Sequence, residues 1–155
     1  MRLAAAALAM TLSWTAVAET SEPTVTRWTL LDQHDKSYTL DDQAQVLLVA
    51  RSMSAARLLN AAIEDQPPGY LEARRVIYVA DIEMLPAVMK PVIVPAMRSA
   101  NYRILLDRDG RVAGRYDGDR DTLQWLQLDK GRVVKEQRFD DGAQLVRAIA
   151  ALPAP

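Results

Sequence analysis

Cysteine is absent from this chain of 155 residues, and histidine is almost absent, because His34 is the only one. Without cysteine the chain can form no disulfide, no thiolate metal site and no thiol redox centre of its own. A catalytic serine would need a base to take its proton. His34 lies in a polar bend near the N-terminus, away from the serines at positions 52 and 54. The sequence therefore contains no recognisable catalytic or metal-binding constellation.

A strong charge of either sign is also lacking, and so is any long apolar run after the first 18 residues. Lysine and arginine total 19 against 20 acidic residues, which leaves a net charge of −1. No basic patch or arm is present, so the sequence predicts no nucleic-acid partner. No later segment reaches the ~20 apolar residues of a membrane-spanning helix. We therefore expect no stable membrane insertion once the N-terminal segment is removed.

The start of the chain has the pattern of a secretory signal peptide. Arg2 provides a positive n-region, Leu3–Met10 is an apolar h-region, and Ala16-Val17-Ala18 is an A-x-A cleavage site. A membrane anchor is the alternative, but the apolar run is short and is interrupted by threonine and serine. We predict cleavage after Ala18, a single domain at residues 19–155, and a periplasmic or secreted location. Loss of Arg2 would change the net charge from −1 to −2.

The rest of the chain has the pattern of an α/β domain. Val46–Ala50 and Val76–Ala80 are continuous apolar runs, VLLVA and VIYVA, which are typical of strands buried on both faces. Between them, apolar residues recur at helical spacing, and Ser52 or Ser54 can cap the helix. A strand, a helix and a strand in this order form a βαβ unit, which implies parallel strands joined by a right-handed crossover.

The segment Asn101–Asp117 is predicted to form a hairpin at the centre of the domain. Its strands would be Tyr102–Leu106 and Arg111–Tyr116, joined by the turn DRDG, in which Gly110 can adopt a positive φ. The first of these strands carries apolar groups on both faces, as an interior strand does. We expect it to join the two apolar runs described above as the inner strands of the sheet.

Three further elements are predicted on either side of this core. Residues 24–40 read as a strand pair with a polar bend, and Leu123–Leu128 with Arg132–Phe139 read as a second hairpin. Asp140 or Asp141 can cap a last helix, which ends before a proline. These elements place strands at the margins of the sheet and a helix at the end of the chain.

The segment Asp81–Ala100 is less regular than its neighbours. Pro86 can begin a helix, whereas Pro91 and Pro95 prevent a regular helix through the middle of the segment. We therefore predict two short helical pieces with a bend between them. The segment also supplies three methionines, which we interpret as core filling, with a ligand groove as the alternative: Met84, Met89 and Met97.

The order of these elements resembles the thioredoxin-like fold, in the form found in TlpA-type and peroxiredoxin-type proteins. Three stretches carry the resemblance: VLLVARSMSAARLL, RRVIYVADI and YRILLDRDGRV. The second hairpin, LQLDKGRV, followed by a terminal helix, is similar to the small periplasmic YtfJ-type members. The resemblance implies a three-layer sandwich in which a mixed central sheet is flanked by helices.

The resemblance also shows what the chain has lost. In the thioredoxin family two cysteines begin the first core helix, where the helix N-terminus lowers a thiol pKa; here that stretch begins Ser52-Met53-Ser54. A cis-proline normally precedes the late hairpin, and the matching position lies near Ala100 and Asn101, with no proline there. Disulfide exchange therefore cannot be carried over from the family.

What the resemblance leaves is a cleft at the start of the first core helix. A helix N-terminus presents free N–H groups and a partial positive charge. We predict a binding site there for a small anion or a peptide; the alternative is that Ser52 and Ser54 serve only as helix caps. The candidate residues follow the first core strand or precede the late hairpin: Arg51, Ser52, Met53, Ser54, Asn101 and Tyr102.

Two classes of function remain open from the sequence. One is an exported, non-catalytic binding or adaptor protein, with an unknown periplasmic protein or small ligand as its partner; the other is an enzyme that uses groups other than thiols. The chain is also similar to small exported proteins sometimes catalogued as FAD/FMN-containing dehydrogenase, which would imply a flavin. No G-x-G-x-x-G follows a strand, and the chain is short for the two βαβαβ halves of a dinucleotide fold. We therefore expect no cofactor and favour the binding protein.

Overall fold

The computed structural model describes residues 27–155, so the predicted signal peptide and its cleavage site lie outside the described residues. The strands are β1 (Thr29–Asp32), β2 (Ser37–Thr39), β3 (Val46–Ala50), β4 (Val76–Asp81), β5 (Leu105–Asp107), β6 (Leu123–Asp129) and β7 (Arg132–Phe139). The helices are α1 (Met53–Ile63), α2 (Tyr70–Ala73), α3 (Lys90–Met97) and α4 (Gly142–Ala150), with a 3-10 helix at Ala113–Arg115. None of the helices in the described range is long and apolar enough to cross a membrane.

All seven strands belong to one mixed sheet, in the order β2-β1-β5-β4-β3-β6-β7. The three inner strands β5, β4 and β3 are parallel, whereas β6 and β7 on one side and β1 and β2 on the other are antiparallel to their neighbours. Leu48 of β3 lies opposite Tyr78 of β4, and Ala50 lies opposite Ala80. The predicted βαβ unit and the mixed central sheet are therefore confirmed.

The two faces of the sheet are covered in different ways. On one face, Val46, Leu48 and Ala50 pack with buried residues of all four α-helices. On the other face, Leu47 and Val49 pack with residues of irregular segments, the 3-10 helix and its flanks: Trp28, Leu40, Ala44, Val112 and Ala113. Every side chain of β3 and β4 is buried because both faces are covered, which explains why these strands read as continuous apolar runs.

The predicted central hairpin is wrong in its second half. Asp107 ends β5, and its Oδ2 accepts hydrogen bonds from the backbone N–H groups of Val112 (2.9 Å) and Ala113 (2.7 Å). These bonds turn the chain into the 3-10 helix, so no strand forms at 111–116. Gly110 has a φ of 68°, and the carboxylate of Glu83 occupies the space that a Cβ at Gly110 would need. The first half is a strand only from Leu105 onward.

The other sheet and cap predictions are confirmed. β6 and β7 form the predicted hairpin, with one irregularity in register next to Leu128. β6 also pairs with β3 in antiparallel fashion, so it lies beside the first core strand on the side away from β4. Asp141 caps α4 by accepting a hydrogen bond from the N–H of Gln144 at 2.9 Å.

The segment between β4 and β5 forms one helix rather than two. Turns occupy residues 83–89, and α3 begins at Lys90 with Pro91 in its first turn and Pro95 in its interior. The core-filling interpretation of the methionines is wrong for two of them, because Met84 is 72% exposed and Met89 is 43% exposed. The turns place both residues outside the helical layer, whereas Met97 packs against the core.

Candidate functional site

The N-terminus of α1 lies at the carboxyl edge of the parallel strands. Ser52 is the N-cap residue, and its Oγ accepts a hydrogen bond from the N–H of Ala55 at 3.1 Å. The same Oγ lies 2.9 Å from the Oγ of Ser54. The N–H groups of Met53 and Ser54 have no acceptor within the helix, as in the first turn of any α-helix. No acidic residue lies in this turn, so the positive end of the helix dipole is not neutralised locally.

A buried carboxylate lies beside this helix start. Ala50 at the end of β3 pairs with Ala80 of β4, so Arg51 and Asp81, the next residue of each chain segment, lie side by side. Arg51 Nε lies 3.2 Å from Asp81 Oδ2, and Arg120 Nη2 approaches the same oxygen at 3.5 Å. The other oxygen accepts a hydrogen bond from the N–H of Glu83 at 3.1 Å. Asp81, Arg51 and Arg120 together therefore place two guanidinium groups around one carboxylate.

The two arginines differ in how much solvent they meet. The side chain of Arg51 is 13% exposed and that of Arg120 is 38% exposed, while the side chain of Asp81 has no exposed surface. Arg120 is therefore the member of the cluster that a ligand in solution can reach most easily. Sequence reasoning found Arg51 but missed Asp81 and Arg120. The available signal was the position of Asp81, an acidic residue directly after the apolar run VIYVA.

The loop before β6 faces the start of α1. Because β6 runs antiparallel to β3, residues 119–122 come to the edge of the sheet where α1 begins. Ser54 Oγ lies 3.4 Å from the carbonyl oxygen of Asp121. The family's cis-proline position, which precedes the late hairpin, was placed from the sequence near Ala100 and Asn101; this is corrected, because the late hairpin is β6–β7 and residues 119–122 precede it. Residues 27–155 contain no cis peptide bond.

Asn101 and Tyr102 lie toward the other end of α1. Asn101 Nδ2 donates a hydrogen bond to the carbonyl oxygen of Gln66, beyond the helix C-terminus, at 2.8 Å. The ring centroid of Tyr102 is 6.3 Å from that of Tyr78. Burial, with a smaller effect of the charge on Glu64, raises the pKa of Tyr102. The phenol therefore stays protonated and can act as a hydrogen-bond donor.

Two adjoining cavities connect these two ends. A cavity of about 220 Å³ lies at the start of α1 and includes Arg51 and Ser52 in its wall. A more open cavity of about 620 Å³ lies between α1 and α3 and includes Asn101 and Tyr102. Met53, Ala56 and Met97 line both. We call the two cavities together the α1–α3 groove.

Five of the six candidate residues line the groove, in two groups, whereas Ser54 lines neither cavity. Arg51, Ser52, Met53 and Ser54 lie at the start of α1, and only Met53 of these also borders the cavity that contains the other two. Within residues 27–155, no cluster of three or more histidine, aspartate or glutamate residues could hold a metal ion. His34 lines a separate small cavity next to Tyr102. The groups at the start of α1 are suited to hydrogen bonding and to contact with an anion.

No protein-family model and no curated protein sequence matches the chain. Solved structures do match. The pneumococcal exposed lipoprotein thioredoxin Etrx1 from Streptococcus pneumoniae is 16% identical, with a TM-score of 0.54, over 82% of this chain and 100% of that one. Peroxidoxin BcpB from Mycobacterium tuberculosis is 18% identical, with a TM-score of 0.53, over 83% and 92%.

A third similar structure is a secreted disulfide oxidoreductase from M. tuberculosis that is homologous to E. coli DsbE. It is 14% identical, with a TM-score of 0.50, over 81% of this chain and 96% of that one. These similarities define the fold class: the chain is an α/β protein with a thioredoxin-like fold. The chain contains no cysteine, so it has no thiol of its own for the disulfide chemistry that the name of the third structure describes.

Proposed function

We propose that the chain is an exported, non-catalytic binding or adaptor protein built on a thioredoxin-like scaffold. One observation carries this proposal. The helix start that holds a reactive thiol in the redox members is here Ser52-Met53-Ser54, yet it still opens on a cavity with Arg51 and Arg120 beside it. A site that has lost its nucleophile but keeps an open cavity and charged groups is suited to binding. A serine could replace the thiol only with a base to take its proton.

Export is part of the same proposal. The pattern of residues 1–18 is that of a secretory signal peptide. Two of the similar structures are named as an exposed lipoprotein and as a secreted protein. A protein of this fold without cysteine would also form no disulfide under the oxidising conditions outside the cytoplasm. We therefore place the site in the periplasm or outside the cell.

We assign the two groups of candidate residues to different parts of the binding surface. Arg51, Ser52, Met53 and Ser54 would contact the partner at the start of α1, where charge and free N–H groups are concentrated. Asn101 and Tyr102 would contact it at the far end, where Asn101 is held by its bond to Gln66. A partner that touches both groups must lie along the α1–α3 groove.

The test combines an activity assay with a capture assay. Purified protein should leave insulin reduction and peroxide consumption at the background without protein, because both reactions need a thiolate. Immobilised protein should retain a partner from a periplasmic extract, and a double variant, Ser54→Ala with Arg120→Ala, should retain less of it. Lys135→Ala is the matched control, because Lys135 is exposed on β7, away from the groove.

Three outcomes would contradict the proposal. Turnover above background in either assay would point to an enzyme, and a flavin-type absorption spectrum of the purified protein would point to a cofactor. Equal capture by the wild type and the double variant would show that the start of α1 is not the binding surface.

A further inference from the structure

We propose that the α1–α3 groove binds an extended peptide segment in which a carboxylate lies next to large apolar side chains. The carboxylate would contact Arg120 and Arg51, and the apolar side chains would fill the methionine-lined part of the groove. This inference rests on the proposed binding function and names the class of ligand. It follows from the length, the lining and the charge of the groove.

The length of the groove matches a short extended peptide. The groove follows α1, whose 11 residues span about 16 Å at 1.5 Å per residue. An extended chain advances about 3.3 Å per residue, so four to five residues would cover that distance. The groove is open to solvent along one side between α1 and α3. A peptide of this size could therefore enter without a change in the fold.

The lining of the groove is apolar where the peptide side chains would lie. Met53 is 46% exposed and borders both cavities, and Met84 and Met97 border the cavity at the start of α1. Methionine side chains are flexible and polarisable, so they adapt to apolar groups of different shapes. Exposed apolar side chains grouped along one cavity usually mark an interaction site.

The charge at one end selects for a carboxylate. Arg51 and Arg120 both approach Oδ2 of Asp81, so a ligand carboxylate at this place would meet two guanidinium groups. The distance from Arg120 Nη2 to Asp81 Oδ2 is long for an ion pair, and Arg120 is partly exposed. Its side chain can therefore turn toward a ligand at little cost in free energy. Charge-assisted bonds of this type are stronger than neutral ones.

The far end of the groove favours a peptide over a fatty acid, the other ligand with a carboxylate and an apolar chain. That end is polar, and its side chains can bond to peptide N–H and C=O groups: Asn60, Glu64, Ser99 and Asn101. The tail of an acyl chain would cover these groups without hydrogen-bonding to them, which costs free energy. Glu64 would also disfavour a second negative charge at that end.

The experiment uses the methionines as reporters in the full chain, labelled with carbon-13 at the methionine methyl groups. The probes are acetyl-Asp-Leu-Met-Leu-amide, the same peptide with Asn in place of Asp, and decanoate. The Asp peptide should shift the methyl signals of Met53, Met84 and Met97. Met89 is the internal control, because it lies outside both cavities. The Asn peptide should bind several times more weakly.

A variant separates the charge from the apolar contacts. Arg120→Ala should reduce affinity for the Asp peptide about fivefold, which corresponds to one exposed ion pair, and should leave the affinity for the Asn peptide unchanged. Lys135→Ala should change neither. Equal affinity for the two peptides in the wild type would overturn the role assigned to the arginines.

Two other results would overturn the inference. One is an absence of shifts at Met53, Met84 and Met97 with either peptide. The other is decanoate displacing the Asp peptide or binding more tightly than it does, since the groove would then be a lipid site. In both cases the capture experiment on the start of α1 still decides the proposed binding function by itself, so failure of the peptide and failure of the function are distinguishable.

Discussion

Asp81 and Asp107 occupy paired positions at the ends of neighbouring parallel strands, yet the fold treats their carboxylates differently. Both side chains are fully buried. Asp81 faces two arginine side chains, one of which reaches solvent. Asp107 faces the backbone N–H groups of Val112 and Ala113, and its Oδ1 has no hydrogen-bond partner. The carboxylate of Asp81 thus pairs with charged side chains, and the carboxylate of Asp107 stabilises a turn of the backbone.

The electrostatics of the two carboxylates follow from these contacts. Burial is the main cause that raises the pKa of Asp107; the bonds from Val112 and Ala113 oppose it, while the charge of Asp81 and the contact with Asp109 add to it. The carboxylate of the neighbouring Asp81 instead lies within ion-pair distance of the guanidinium groups of Arg51 and Arg120. The comparison teaches that a carboxylate at the end of a buried strand can hold charged groups at the surface or fix a turn of the backbone, and that the nature of its partners decides between the two.

The largest expected effect comes from removing both arginines around Asp81. The double variant Arg51→Ala with Arg120→Ala leaves a buried carboxylate with only the N–H of Glu83, and such isolation costs about 3–5 kcal/mol. Urea denaturation would measure the loss in the free energy of unfolding. Adding Asp81→Asn to the double variant should recover most of that loss. A loss below about 1 kcal/mol in the double variant would mean that water solvates this carboxylate.

The next effect concerns Asp107, whose role is to accept two backbone hydrogen bonds. Asp107→Ala leaves two buried N–H groups without an acceptor, which we expect to cost about 2–4 kcal/mol. Asp107→Asn keeps an oxygen in place and should cost less than about 1 kcal/mol. The same denaturation experiment compares the two variants. Equal losses would show that the negative charge, and not the acceptor, holds the 3-10 helix.

A smaller effect is the pH dependence of stability that Asp107 causes. Because the pKa of Asp107 is raised in the folded state, the native protein binds that proton more tightly than the unfolded chain. Its contribution to stability therefore increases as the pH falls from neutral through the raised pKa, and levels off below the ordinary value of 3.8. The wild type should gain stability relative to Asp107→Asn over that window. A difference that is constant with pH would contradict this prediction.

The smallest effect is expected for Arg120→Ala alone. Arg120 is partly exposed and Arg51 remains to pair with Asp81, so the loss should be below about 1 kcal/mol. Salt should reduce it further, because the pair is partly screened. Melting temperatures at low and high ionic strength would measure it. A loss as large as that of the double variant would show that Arg120 alone, without Arg51, stabilises the buried carboxylate of Asp81.

Much of the fold could be predicted because burial leaves a direct signature in the sequence. The runs at 46–50 and 76–80 are strands with every side chain buried, and Ser52 and Asp141 cap helices as their positions indicated. The prediction of a hairpin at the DRDG turn was wrong because Asp107 and Gly110 are compatible with a hairpin as well as with a 3-10 turn. The deciding contacts are the hydrogen bonds that Asp107 accepts from Val112 and Ala113, five and six residues further along the chain, a spacing that the turn patterns read from the sequence do not include.

The candidate site could be predicted from local sequence pattern only where its residues are consecutive in the chain. Arg51–Ser54 follow a strand and begin a helix, so local pattern places them together. Asp81 and Arg120 join them through the register of the sheet, which the sequence does not specify before the order of the strands is known. The exposure of Met84 and Met89 was missed for a related reason, since apolar residues in a proline-rich segment give no periodicity from which to read a face.

The way in which the sheet assembles the arginine cluster has a practical consequence for finding the partner. Arg51 and Asp81 are 30 residues apart, and Asp81 and Arg120 are 39 residues apart. A ligand that touches both arginines therefore ties together segments that separate when the domain unfolds. Such a ligand stabilises the folded state by about 2.7 kcal/mol at a hundredfold excess over its dissociation constant. Screening compounds and peptides for a rise in the melting temperature would thus detect binding without any knowledge of the activity.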